Sequence, residues 1–135
     1  LETMEIVAEY QGKIPTDLFA NVINQVGREY GNCLTVVENN SIGHSVITDL
    51  IGYEYPTLYW ATKGTHEYVE QYQAEHRSDC VAGFTMSHKS RPLVIAKLEE
   101  FVRNKMVTSY SRRLIEEMRT FIWNNGRPEA MDCVL

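Results

Sequence analysis

The chain has 135 residues, of which 44% are hydrophobic and 23% are charged, with a formal net charge of −5 at pH 7. This composition is typical of a folded domain and excludes a disordered or fibrous chain. The acidic balance excludes a protein that binds nucleic acid by bulk positive charge, although a local basic face remains compatible with binding.

Strand-like and helix-like segments alternate along the chain. The patterns predict strands at 5–10, 33–37, 57–61, 83–85 and 106–109. They predict helices at 16–30, 42–51 and 90–103, and a last helix that is capped by Ser111 and stops at 125–126. Residues 62–80 lack a clean period and are predicted to form a long loop or hairpin. The apolar run at 33–37 suits a central strand covered on both faces. The alternation predicts an α/β domain with a mixed sheet flanked by helices.

Cysteine usage and hydropathy indicate a reducing compartment. The three cysteines are odd in number and lack a CxxC pair, which argues against a disulfide framework or a structural zinc site. No apolar run approaches the ~20 residues that span a bilayer, and no charged-then-apolar signal segment opens the chain. We therefore expect a cytoplasmic protein without a membrane partner.

Glu38 is the most informative single residue. It follows the most hydrophobic predicted strand, where sites form in open α/β sheets, and Asn39 and Asn40 come directly after it. Mg²⁺ prefers carboxylate oxygens and keeps several waters, so it suits a half-open rim of this kind. In nucleases such ions activate a water molecule. Two structural roles remain open for Glu38, namely capping the next helix or pairing with an arginine.

His44, Lys89 and Arg91 are candidate phosphate ligands. His44 lies one turn into the helix after Glu38, and the alternative for it is a solvent-facing histidine. Lys89 and Arg91 begin a helix, whose backbone N–H groups also attract phosphate. Most other basic residues of this region alternate with acidic ones, which indicates a solvated, ion-paired face. The other three histidines show no ligand spacing, so no zinc site is expected.

Three blocks of the sequence carry a resemblance to a known family. They are VVENN at 36–40 with IG at 42–43, SRPL at 90–93, and TFIW at 120–123 with NGRPEAM at 125–131. In this order they resemble the C-terminal nuclease domain of the large terminase subunit of tailed phages. The resemblance covers most of the chain, and its first and last blocks are the specific ones.

The resemblance implies a ribonuclease H-like fold and a two-metal site for Mg²⁺ or Mn²⁺ that cuts concatemeric viral DNA in the host cytoplasm. It implies that Glu38 is the central acid of a metal-binding triad, with Asn39 and Asn40 shaping the rim. Lys89 and Arg91 would then contact the DNA backbone. The implied partners are double-stranded DNA, the terminase ATPase domain, the portal and the small terminase subunit.

The resemblance also implies that residues 1–135 are an incomplete nuclease domain. The first strand, with its acid, would precede Leu1, and the last acidic pair would follow Leu135, while Asp132 lies a few positions before that pair. One carboxylate of three cannot hold two metals, which leaves open whether this chain alone cuts DNA. The ATPase domain is expected to be absent, because no glycine-rich phosphate loop with a lysine occurs.

Two other functions remain open. One is another ribonuclease H-like nuclease, such as a junction resolvase, which would differ in the spacing of its acidic residues. The other is a non-catalytic docking module for the portal or the small terminase subunit. In that case Glu38 would be dispensable for partner binding, whereas the nuclease interpretation requires it for cleavage.

Overall fold

The computed structural model describes residues 3–130, with every side chain in that range except those at positions 123, 128 and 130. Within these residues the chain forms five helices and seven short strands, which confirms the predicted α/β class. In chain order they are β1 (Met4–Ile6), α1 (Thr16–Glu29), α2 (Ile42–Gly52), β2 (Trp60–Thr62), β3 (Tyr68–Val69), α3 (Gln71–Ala74), β4 (Cys80–Ala82), α4 (Ser90–Arg103), β5 (Val107–Ser109), α5 (Arg112–Arg119), β6 (Phe121–Asn124) and β7 (Arg127–Ala130).

These elements fall into two compact units. The central unit spans Lys13–Ser87 and contains α1, α2, α3 and the strands β2, β3 and β4. The terminal unit combines Leu1–Gly12 with His88–Leu135 and contains the remaining elements. Across the described part of both units, no helix is long and apolar enough to cross a membrane.

The core of the central unit is built by α1, α2 and the chain that follows α2. Its main cluster of buried side chains consists of Ala20, Val46, Ile47, Leu50, Tyr55, Leu58 and Ala82. Tyr55 is the largest of them, and its hydroxyl donates to the Cys33 carbonyl oxygen at 2.5 Å, so the polar end of the buried ring is satisfied. Full burial of a side chain of leucine size contributes about 1.5–3 kcal/mol, which makes this cluster the main source of stability in the unit.

The sheet of the central unit is antiparallel, with strand order β3–β2–β4. Trp60 lies opposite Val69 on one side and Ala82 on the other. A second, smaller cluster of Val69, Ala74 and Cys80 packs against Trp60. Residues 62–80, predicted as a long loop or a hairpin, contain the second strand of a β2–β3 hairpin that begins at Trp60, and the one-turn helix α3 follows it.

The segment at 33–37 differs from the predicted central strand. Only two isolated parallel bridges form here, Thr35 with Leu58 and Glu38 with Phe84. Leu34 is 51% exposed and Val36 is 53% exposed, so the expectation of coverage on both faces is wrong. The alternation of side chains along an extended chain explains the result, because Val37 packs against the core while its neighbours point away.

The terminal unit contains a two-stranded parallel sheet of β1 and β5. The Tyr110 hydroxyl donates to Glu5 Oε1 at 2.6 Å, and the Ser111 hydroxyl donates to Glu9 Oε2 at 2.7 Å. Ser111 also caps α5, since its Oγ accepts from the Leu114 backbone N–H at 3.1 Å, as the sequence predicts. The bounds of α4 agree with the prediction, although none of its residues is buried.

The predicted end of the last helix is wrong. Helix α5 stops at Arg119, and the chain then forms the antiparallel hairpin β6–β7. The two turn residues, Asn125 and Gly126, both have positive φ, at 48° and 77°. Asn-Gly is the preferred pair for a two-residue hairpin turn because both positions tolerate that conformation. Phe121 and Ile122 continue the helical spacing of Leu114, Ile115 and Met118, but the turn pair selects the hairpin.

Candidate functional site

Glu38 lies at the carboxyl end of the extended segment that leads into α2. Its backbone is fixed by the Phe84 segment: the Phe84 N–H donates to the Val37 carbonyl at 2.7 Å, and the Asn39 N–H donates to the Phe84 carbonyl at 3.0 Å. The Glu38 side chain is exposed. The structure therefore gives this acid a fixed backbone and a solvent-facing carboxylate. It lies at the end of an extended segment that forms two isolated parallel β-bridges.

Asn39 and Asn40 have different roles although they are adjacent. The side-chain Nδ2 of Asn40 donates to Glu38 Oε1 at 2.7 Å, which orients the carboxylate. Asn39 is only 5% exposed, and its Nδ2 donates to the Ala82 carbonyl at 3.2 Å and to Thr85 Oγ1 at 3.0 Å. Asn40 thus belongs to the exposed rim of the site. The buried Asn39 side chain instead connects this segment to Ala82, the last residue of β4.

Two glycines that the sequence analysis did not single out permit this packing. A Cβ at Gly43 would overlap the Glu38 carbonyl oxygen, so only glycine lets α2 begin this close to the acid. Gly83 has φ +83°, and a Cβ there would lie 2.6 Å from the Val37 carbonyl oxygen. Positive φ and close backbone approach are the two conditions that favour glycine. Their signal in the sequence is weak, since each is an isolated glycine beside apolar residues.

The two structural roles left open for Glu38 are not observed. The N-cap position of α2 is occupied by Ser41, and no side chain caps the helix there. Among the described residues, no arginine or lysine pairs with the Glu38 carboxylate. In the described part of the chain the carboxylate has an orienting amide and no basic side chain paired with it, an arrangement compatible with a ligand for an external cation.

The remaining predicted site residues are distributed over both units. His44 lies in the first turn of α2 with its side chain exposed, and its carbonyl oxygen accepts from Thr48 Oγ1 at 2.9 Å. Lys89 and Arg91 belong to the terminal unit, at the N-cap position and in the first turn of α4. Asp132 lies outside the described residues.

The donor set at Glu38 fits part of a magnesium or manganese site. Exposed carboxylate oxygens are the ligands that these ions prefer, and water completes their coordination. Within residues 3–130, no group of three or more histidine, cysteine, aspartate or glutamate side chains is arranged to hold a metal. Glu38 is therefore not part of such a group among the described residues. No protein-family model, curated protein or solved structure matches the chain.

Proposed function

We propose that this chain is part of a metal-dependent DNA endonuclease, the nuclease domain of a phage terminase large subunit with a ribonuclease H-like fold. The observation that carries the proposal is the Glu38 carboxylate, which is exposed, unpaired with any described cation and oriented by Asn40. The order of the blocks around Glu38, Arg91 and Arg127 supports the choice of family, because it matches the order in the family that they resemble.

In this proposal Glu38 binds Mg²⁺ or Mn²⁺ through its carboxylate. A divalent ion supplies charge stabilisation at the phosphate and a more acidic water for the attack on phosphorus. The Asn40 amide uses Oε1 as its acceptor, so Oε2 is the oxygen that this contact leaves for the ion. Asn40 is a positioning residue, and its amide fixes the direction of the carboxylate before the substrate arrives.

The proposal extends to the setting of the reaction. The substrate is double-stranded DNA, and the partners are the terminase ATPase domain, the portal and the small terminase subunit, in the host cytoplasm. Lys89 and Arg91 contact the DNA backbone, since a cation on a phosphate adds affinity without reading sequence. His44 contributes a further phosphate contact from the first turn of α2.

A first experiment tests the metal at Glu38 without depending on cleavage. The ¹⁵N-labelled chain is titrated with Mn²⁺, whose unpaired electrons broaden nearby amide resonances. We expect broadening centred on residues 38–44, and we expect Glu38→Gln to remove it. Glu67→Gln is the matched control, because Glu67 is another exposed carboxylate of the central unit. Equal broadening in wild type and Glu38→Gln would refute metal binding at this residue.

A second experiment tests the reaction itself. Nicking of supercoiled plasmid is measured in Mg²⁺ and in Mn²⁺, with this chain and with the product of the whole gene that encodes it. Where the wild type cuts, Glu38→Gln should abolish nicking and Glu67→Gln should not. Asn40→Ala should lower the rate by about tenfold to a hundredfold, the usual cost of removing an outer partner of a metal ligand, and should need more metal for half activation.

Cleavage that is independent of Glu38 would contradict the nuclease proposal. A chain that binds the portal or the small terminase subunit equally well with Glu38→Gln, and never cuts, would instead favour the docking module. A preference for four-way junctions over linear duplex would favour a junction resolvase. Each of these results assigns a different class of protein. The Glu38→Gln variant separates a nuclease from a docking module, and the choice of DNA substrate separates a terminase nuclease from a junction resolvase.

A further inference from the structure

A groove in the terminal unit lies between the first turn of α4 and the turn of the β6–β7 hairpin. Its volume is about 420 Å³, and it is lined by His88, Arg91, Pro92, Gly126, Arg127 and Glu129. The two sides of the groove come from segments more than thirty positions apart, so the chain fold is what brings their charges together.

The charge of the groove is opposite in sign to that of the whole chain. Two permanent cations, Arg91 and Arg127, line the groove together with one carboxylate, Glu129, and the imidazole of His88. The protein as a whole carries −5. The Glu129 Oε2 accepts from Asn124 Nδ2 at 3.1 Å across the hairpin, so part of its acceptor capacity is used within β6–β7.

The hairpin turn places Arg127 at the groove and keeps the adjacent backbone accessible. Arg127 is the first residue of β7 and lies opposite Asn124 in the register. Gly126 lines the groove without a side chain, and nothing lies within 4 Å of where its Cβ would be. An anionic ligand can therefore approach the backbone here as well as the guanidinium group, which a larger residue at this position would obstruct.

We infer that this groove binds phosphate groups of a nucleic-acid backbone, held between Arg91 on α4 and Arg127 on the hairpin. A guanidinium group matches phosphate geometry with two parallel N–H donors, which favours arginine over lysine at such a site. The choice of nucleic acid over free phosphate rests on the proposed function. The groove adds Arg127 and His88 to the phosphate contacts expected from the sequence, and Lys89 does not line it.

The test is binding of a fluorescein-labelled 20-base-pair duplex, measured by fluorescence anisotropy in EDTA at several NaCl concentrations. Arg91→Ala and Arg127→Ala should each weaken binding by about tenfold, in keeping with the loss of a charged hydrogen bond. Each should also lower the slope of log K against log[salt] by about 0.9, the value of one phosphate contact. Arg127→Lys keeps the charge but loses the two parallel N–H donors of the guanidinium group. It should therefore retain the salt dependence of log K and lose part of the affinity for the duplex.

Arg103→Ala is the matched control because it removes the same charge from the opposite end of α4, where Arg103 pairs with Glu99 at 3.5 Å. It should leave both affinity and slope close to wild type. An equal loss in Arg103→Ala and Arg127→Ala would show only general attraction and would overturn the inference. Displacement of the duplex by inorganic phosphate, at an ionic strength where NaCl has no effect, would assign the groove to free phosphate and also overturn it.

The binding assay separates this inference from the proposed function. In EDTA, the loss of affinity caused by Arg91→Ala or Arg127→Ala should be the same in the wild-type and Glu38→Gln backgrounds, since the groove does not use Glu38. Loss of cleavage in Glu38→Gln together with unchanged binding in the two arginine variants would refute the groove and the Arg91 contact to the DNA backbone, while the metal site at Glu38 would stand. Weakened binding in those variants together with Glu38-independent cleavage would support the groove and refute the metal site.

Discussion

The close approach of Gly83 to the Glu38 segment predicts a measurable difference between two glycine substitutions. Gly83 and Gly64 have nearly the same φ, +83° and +87°, so alanine at either position adopts a left-handed conformation at a cost of about 1–2 kcal/mol. At Gly64 nothing lies within 4 Å of the added Cβ. At Gly83 the Cβ would lie 2.6 Å from both the Val37 carbonyl oxygen and Ile47 Cδ1.

Only the crowding therefore differs between Gly83→Ala and Gly64→Ala. Overpacking of a filled core costs about 1–3 kcal/mol, and the effect of alanine on the unfolded chain is the same for both variants and cancels. We expect Gly83→Ala to be less stable than Gly64→Ala by this amount in urea denaturation followed by far-ultraviolet circular dichroism. The midpoints should differ by on the order of 1 M urea. Coincident midpoints would refute the packing of Gly83 beneath the Val37 carbonyl.

Two further predictions concern a helix cap and the core. Ser111→Ala removes the acceptor of the Leu114 N–H and should destabilise α5 by about 1 kcal/mol. The Ser111 hydroxyl also lowers the pKa of Glu9, with a smaller effect of Arg113, so the variant should raise that pKa in a ¹³C NMR titration. Because the pKa of Glu9 is lower in the folded chain than in the unfolded chain, its carboxylate contributes to the free energy of unfolding at pH values above the ordinary pKa of glutamate. This contribution is lost as the pH falls through the pKa of the folded state. Leu50→Ala, at a site with 0% exposure, should cost about 2–5 kcal/mol in the same urea assay, and a smaller loss would contradict the assigned core.

The helices were predictable because their signals are local. The apolar spacing and the flanking glycines place α1 and α2 within one or two residues of their observed ends. The Ser111 cap was predicted from residue type alone and is confirmed by its contact. The predicted end of the last helix is wrong for a local reason as well, since Phe121 and Ile122 continue the apolar spacing of α5 while the turn pair Asn125-Gly126 favours a hairpin.

The candidate site was predictable in position but not in detail. That Glu38 ends an extended segment before a helix follows from the order of residue types. The difference between Asn39 and Asn40 does not, because it depends on which side of the segment packs against β4. The groove around Arg91 and Arg127 depends on contacts between residues far apart in the chain, which no local pattern encodes.

The way the backbone at Glu38 is held has a consequence for how this position can diversify. The restraints on it are the close approach of Gly43 to the Glu38 carbonyl oxygen, the turn at Gly83 and the amide of Asn39, and none of them uses the Glu38 carboxylate. The backbone conformation at this position therefore does not depend on which side chain residue 38 carries. A histidine or cysteine installed at residue 38 would project from the same point, with Asn40 still beside it, so the scaffold offers a place to engineer a different ligand chemistry without rebuilding its support.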